Sequence, residues 1–192
     1  MQKIYSGKQL DILYAQATQL DKLSAQDHIE RAAVAFEREL LRHYSLGGRS
    51  IYVFAGAGRC GAYALSIAQT LSRRGHTVFA YLFYRGGKLS PECEAVRESL
   101  PRDTFRLEEV FTDFAPPRIF SGDLIIDGLF GADLQTPLSG GYVALVDFLN
   151  AAPAPIVSIE IPSGLFAEDN SGNTLEHVIR AERTISFDSP KL

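Results

Sequence analysis

The sequence predicts a three-layer α/β/α domain with a mainly parallel sheet and helices at its N-terminus. Two runs rich in β-branched and aromatic residues, Ser50-Ile-Tyr-Val-Phe-Ala55 and Pro155-Ile-Val-Ser-Ile-Glu-Ile-Pro-Ser-Gly-Leu165, read as buried strands. A glycine loop, Gly56-Ala-Gly-Arg-Cys-Gly61, follows the first run directly and opens into a helical pattern. Strands that alternate with helices pair in parallel, because each helix carries the chain back to the same end of the sheet.

The elements follow in order. Residues 6–20 and 27–44 carry apolar side chains at helical spacing, and Asp27 three residues before Glu30 resembles a capping box. Residues 50–55 are the first strand, 62–74 a helix and 76–84 the second strand, which together make a βαβ unit. Further strands are expected at Leu124-Ile-Ile126 and over 156–161, with a helix over 142–150 between them and a short last strand around 183–187. Pro-rich Phe114-Ala-Pro-Pro-Arg118 and Ala152-Pro-Ala-Pro155 connect them. Pro162 lacks a donor and Gly164 permits positive φ, so pairing of the late strand should have stopped by Ser163.

A chain of 192 residues can bury the core of one domain. A net charge of −4 with no basic patch argues against a nucleic-acid partner. Two cysteines, Cys60 and Cys93, make no disulfide framework, and neither a leader nor a membrane-spanning apolar run is apparent, so a cytoplasmic location is expected. The histidines His28, His43, His76 and His177 lack a metal-ligand spacing.

Three loops carry the candidate chemistry. In the first, Gly56, Gly58 and Gly61 give a G-x-G-x-x-G spacing whose amides and helix N-terminus suit a phosphate, with Arg59 adding charge. A tight strand-to-helix turn explains the same glycines. No acid around residues 82–85 supplies the ribose ligand of a dinucleotide dehydrogenase. In the second loop Asp127 ends a short buried strand, and in the third Glu160 and Ser163 do the same. Acids at the ends of apolar strands need partners to offset desolvation, and three oxygen-bearing side chains on two strands suit a hard cation. Cys60 has no paired base and is not read as a nucleophile.

These segments resemble the YjeF N-terminal domain family, NAD(P)H-hydrate epimerase. His28-Ile-Glu-Arg-Ala-Ala33 is similar to the family's Met-Glu-x-Ala-Gly helix, and Ile126-Asp-Gly-Leu-Phe-Gly131 to its Asp-Ala-Leu-Phe-Gly segment. Asn150 ends the following helix. More specific are Val157-Ser-Ile-Glu-Ile-Pro-Ser-Gly-Leu165, similar to Val-Ser-Val-Asp-Ile-Pro-Ser-Gly-Leu, and Ala181-Glu-Arg-Thr-Ile-Ser-Phe187 with Pro190-Lys191. The resemblance implies a Rossmann-like domain that interconverts the R and S epimers of hydrated NADH or NADPH and binds potassium beside the substrate. It makes Asp127 and Ser163 potassium ligands and Glu160 the counterpart of a substrate-contacting aspartate. It lines the substrate with Gly58, Arg59, Cys60 and Gly61 and with Gly131, Ala132, Asp133, Leu134 and Gln135 of the 131–137 loop. Lys88, in Gly87-Lys-Leu-Ser90, is a second catalytic counterpart. It further implies a homodimer, and a chain that in many relatives continues into a fused ADP-dependent dehydratase domain.

The chain departs from the family pattern at Gly56-Ala-Gly-Arg-Cys-Gly-Ala-Tyr-Ala64, where the family reads Gly-Pro-Gly-Asn-Asn-Gly-Gly-Asp-Gly. Arg59 and Cys60 replace the asparagines, one of them a family potassium ligand, and Tyr63 replaces the aspartate. A thiol is a poor ligand for a hard cation. Arg59 is then expected to pair with Asp127 or with a substrate phosphate. The alternative reading is a catalytically degenerate nucleotide-binding or dimerising scaffold.

Overall fold

The computed structural model describes residues 24–84 and 87–187, together with Gln9, Ile12 and Gln16. The helix expected over residues 6–20 lies outside them, apart from those three positions, which are helical.

Helix α1 (Ala25–His43) precedes strand β1 (Ser50–Ala55), helix α2 (Arg59–Arg73) and strand β2 (Thr77–Phe83). Helix α3 (Pro91–Ser99), strand β3 (Leu107–Val110), strand β4 (Leu124–Gly128), helix α4 (Gly141–Ala151), strand β5 (Ile156–Ile159) and strand β6 (Arg183–Ile185) complete the order. The six strands form one sheet in the order β3-β2-β1-β4-β5-β6, and every pairing is parallel. The expectation of three layers and a parallel sheet is met.

Alternation along β1 divides the core. Ile51, Val53 and Ala55 face a cluster with Phe36 and Leu40 of α1, Leu65 and Leu71 of α2 and Val96 of α3. Tyr52 and Phe54 face the opposite cluster with Tyr81, Phe83 and Leu145, Val146 and Leu149 of α4. Several aromatic rings stack across β1 and β2, Tyr52 on Phe79 and Phe54 on Tyr81, each with centroids 5.2 Å apart.

Local physics corrects several expectations. The capping box of α1 lies one turn earlier: Ser24 Oγ accepts from Asp27 N, and Asp27 Oδ2 accepts from Ser24 N at 2.9 Å, so Asp27 closes the box rather than starting it. Helix α2 begins at Arg59, inside the predicted glycine loop, with Gly58 as its N-cap. Helix α3 and β3 were not anticipated. The first is announced only by Ser90 as N-cap and Pro91 behind it, and the second, Leu-Glu-Glu-Val, is an edge strand whose two acids hide its pattern. Strand β5 stops at Ile159 instead of 161, because Glu160 turns to φ 67°. The last strand is likewise shorter than 183–187. No helix among the described residues is long and apolar enough to cross a membrane.

Candidate active site

Ligands of open parallel sheets gather at the carboxyl ends of the strands, where neighbouring connections diverge. Here that point lies between β1 and β4, and the three loops singled out in the sequence meet around it.

Asp127, the fourth residue of β4, has no exposed surface. Its carboxylate survives burial because four donors surround it. Oδ1 accepts from Ser163 Oγ at 2.6 Å and Leu129 N at 3.3 Å, and Oδ2 accepts from Ser158 Oγ at 2.7 Å and Ser163 N at 2.9 Å. Burial pushes its pKa above the ordinary carboxylate value, and the bonds from Ser163, Ser158 and Leu129 act against that rise. The bonds bind β4, β5 and the Pro-Ser-Gly loop into one piece.

Glu160 follows β5 in the left-handed region, the sole non-glycine residue with positive φ among those described. Ile161 N donates to Ile159 O at 2.8 Å across it, which closes a strained γ-turn. The turn is secured from β6 and beyond: Glu160 N donates to Ile185 O at 3.0 Å, Ser186 Oγ donates to Glu160 O at 2.8 Å, and Phe187 N donates to Glu160 Oε1 at 2.5 Å. Tyr63 of α2 packs against the Phe187 ring with centroids 4.8 Å apart.

The glycine loop divides by function. A Cβ on Gly56 would lie 1.8 Å from Leu129 O, and one on Gly61 would lie 1.8 Å from Gly56 O, so both glycines are demanded by the turn itself. Over Gly58 there is open space within 4 Å, at the start of the 15-residue α2. Only this middle glycine is left for a ligand to approach. Arg59, the first residue of α2, places Nη2 3.7 Å from Asp133 Oδ1. The pairing with Asp127 that the sequence suggested is replaced by one with Asp133, because Asp127's oxygens are already engaged.

Cys60 is buried, with Sγ 3.8 Å from Ile159 O. Burial first, and then the charges of Asp127, Glu160 and Asp133, push its thiol well above the ordinary range, so it remains protonated and is no nucleophile. A Cβ on Gly131 would come within 3.1 Å of that sulfur and 3.9 Å of Glu160 Cβ, which brings Cys60, Gly131 and Glu160 together. From there Asp133 and Gln135 are exposed, while Ala132 is half-buried and Leu134 packs against the core. Lys88 is exposed, two residues before Ser90, whose N–H donates to Ala57 O at 2.8 Å and ties that segment to the glycine loop.

Two participants escaped the sequence reading. Ser158 was passed over inside an apolar strand, although a hydroxyl there needs a buried acceptor. The Phe187 amide had no signal at all, since a backbone donor becomes specific only through the fold.

A potassium ion takes oxygen lone pairs. Both Asp127 oxygens already accept two bonds each, while Ser163 Oγ gives its hydrogen to Asp127 and accepts from Phe130 N at 3.2 Å. With a thiol at residue 60 as well, these side chains leave the ion one open lone pair, on Ser163 Oγ, and such a donor set does not fit it. No group of three or more His, Cys, Asp and Glu residues among those described is placed to hold a metal.

Comparison with known proteins agrees with this architecture. The family model for "YjeF-related protein N-terminus" matches residues 25–192. NAD(P)H-hydrate epimerase of Limosilactobacillus fermentum is 30% identical over 83% of this chain and 73% of its own length. That of Achromobacter xylosoxidans is 33% identical over 73% and 64%. The bifunctional NAD(P)H-hydrate repair enzyme Nnr of Moorella thermoacetica is 27% identical over 93% of this chain, which spans 36% of that longer protein. The crystal structure of yeast ynu0, YNL200c, superposes with a TM-score of 0.78 at 18% identity, covering 98% of this chain and 82% of the yeast one. Segments matched across most of the chain and the shared fold lead to one assignment: the chain belongs to the family of YjeF-related protein N-termini.

Proposed function

We propose that this chain interconverts the R and S epimers of hydrated NADH or NADPH, with Glu160 as the group that gives and takes the proton. The observation that carries the reading is the half-buried Glu160, whose γ-turn sets its Cβ beside Gly131 and whose carboxylate accepts from Phe187 N, at the carboxyl end of β5. The hydroxyl of the hydrated ring sits on a carbon next to a nitrogen. A proton given to that hydroxyl lets it leave as water while the nitrogen lone pair supplies the electrons. Water then adds from the other face and returns its proton to the carboxylate, so the reaction is redox-neutral. Asp127 and Ser163 position Glu160 by bracing the two loops, and Gly58, Arg59 and residues 131–135 take the phosphates.

Lys88 is the second candidate proton carrier, at the edge of the glycine loop. With both Asp127 oxygens engaged and a thiol at residue 60, the Arg59 guanidinium in place of potassium is proposed to supply positive charge beside the substrate. A homodimer, a fused dehydratase domain in the full protein and a cytoplasmic location belong to the same proposal.

The test is to mix the protein with one epimer of hydrated NADPH and follow the approach to the mixed equilibrium, with Glu160→Gln and Asp127→Ala alongside. Acceleration by the wild type that Glu160→Gln abolishes supports the reading. The saturated Asp127 and the Cys60 thiol favour one competitor, a nucleotide-binding scaffold. Binding of the substrate without acceleration over buffer selects it.

A further inference from the structure

A cavity lies at the carboxyl edge of the sheet, on the other side of the switch point. It holds about 490 Å³ and is lined by Phe83 at the end of β2, by Phe111, Asp113 and Phe114 after β3, and by Tyr142 and Phe148 of α4. Its aromatic walls are fixed: the Phe83 and Phe114 rings meet edge-on with centroids 5.0 Å apart, and Tyr142 OH donates to Phe83 O at 3.5 Å. Phe111 is 51% exposed and packs on Tyr84 at 4.7 Å, at the open side.

One stretch of chain connects this cavity to the site already described. Gly131 stands against Cys60 and Glu160, the loop runs on, and Gly140 lines the cavity. Phe130, which precedes Gly131, meets Tyr142 edge-on at 4.8 Å. The two sites therefore lie on opposite halves of the sheet, β4 and β5 against β2 and β3, with a shared wall between them. A dinucleotide has the same division, two bases joined through a pyrophosphate.

From this juxtaposition we propose that the cavity binds the adenine of the hydrated dinucleotide and that Asp113 takes the adenosine ribose hydroxyls, which favours hydrated NADH over hydrated NADPH. The inference rests on the epimerase reading for the identity of the whole ligand. A purine is flat and apolar on its faces, and rings standing on several sides form a slot for it. The volume falls within the range of small-molecule sites. Asp113, exposed at the rim, is an acceptor for the 2′- and 3′-hydroxyls and a like charge to a 2′-phosphate. It supplies, from β3, the acid that the end of β2 lacks.

Calorimetric titration of the full chain with AMP and with adenosine 2′,5′-bisphosphate tests the site, alongside Ala144→Phe, Phe111→Ala and Asp113→Asn. Ala144 lines the cavity from an exposed position, so a larger side chain plugs the slot without entering the core. AMP should bind more tightly than the bisphosphate. Ala144→Phe and Phe111→Ala should weaken AMP about tenfold or more at an unchanged melting temperature, and Asp113→Asn should close the gap between the two ligands. Absence of AMP binding by the wild type, or equal AMP affinity in Ala144→Phe, overturns the site. Turnover separates the two readings. If the wild type epimerises hydrated NADH and Ala144→Phe leaves KM unchanged, the adenine site falls and the epimerase stands. If the wild type binds AMP, loses it in Ala144→Phe and epimerises nothing, the epimerase falls and the adenine site stands.

Discussion

Ser163 holds Asp127 twice, its backbone N–H on Oδ2 at 2.9 Å and its hydroxyl on Oδ1 at 2.6 Å. Removing the hydroxyl leaves a fully buried carboxylate with one donor fewer and Phe130 N without its acceptor. Ser163→Ala should therefore cost about 1–3 kcal/mol in urea denaturation. A loss within the error of the wild type would mean that the loop is not braced through this carboxylate.

Asp127 also sets a pH dependence. Its folded pKa is raised, with burial outweighing the hydrogen bonds, so the folded chain holds this proton more tightly than the unfolded one. The associated stability is fully present below the unfolded carboxylate value and is lost as pH rises through the raised folded value. Compared with Asp127→Asn, the wild type should be most favoured in acid, and its advantage should shrink from about pH 4 towards neutrality. A widening advantage would show that the four donors dominate and lower the pKa.

Glu160 combines strain with chemistry. Glu160→Gln should slow epimerisation about a hundredfold or more while circular dichroism and melting stay near those of the wild type. Glu160→Gly should lose activity too, but relief of the φ of 67° returns about 1 kcal/mol against the lost bond to Phe187. Large unfolding of Glu160→Gly would place the stabilising weight on the side chain.

The glycine loop allows a sharper contrast. Gly61→Ala puts a Cβ 1.8 Å from a backbone oxygen and should prevent folding, whereas Gly58→Ala meets open space and should melt like the wild type. If residue 58 receives a phosphate, Gly58→Ala should raise KM for the dinucleotide; an unchanged KM would assign the whole loop to the turn.

Replacing sodium by potassium should leave epimerisation unchanged, and thallium, an anomalous scatterer, should show no peak beside Asp127 in crystals. An Arg59→Asn, Cys60→Asn double variant should stay without potassium dependence as long as Asp127 keeps its four donors; a gained peak would place the exclusion at residues 59 and 60 instead. Potassium activation of the wild type would show that Ser163 turns away from Asp127 to admit the ion.

By itself the sequence determined the parallel α/β architecture, because β-branched runs, glycine turns and helical periodicities are local physics that survives without neighbours. It also singled out Asp127, Glu160, Ser163 and the glycine loop as candidates, since acids at the ends of apolar strands stand out against their surroundings. It missed β3 and α3, whose signals are an acid-rich edge and a single Ser-Pro cap. Only the tertiary structure decided what each group faces. Asp127 meets the hydroxyls of residues 31 and 36 positions away, Glu160 is held by an amide 27 positions on, and Arg59 finds Asp133 instead of Asp127. Those partners depend on which strands adjoin and in what register, and register is a property of the packed sheet that no segment of the chain carries alone.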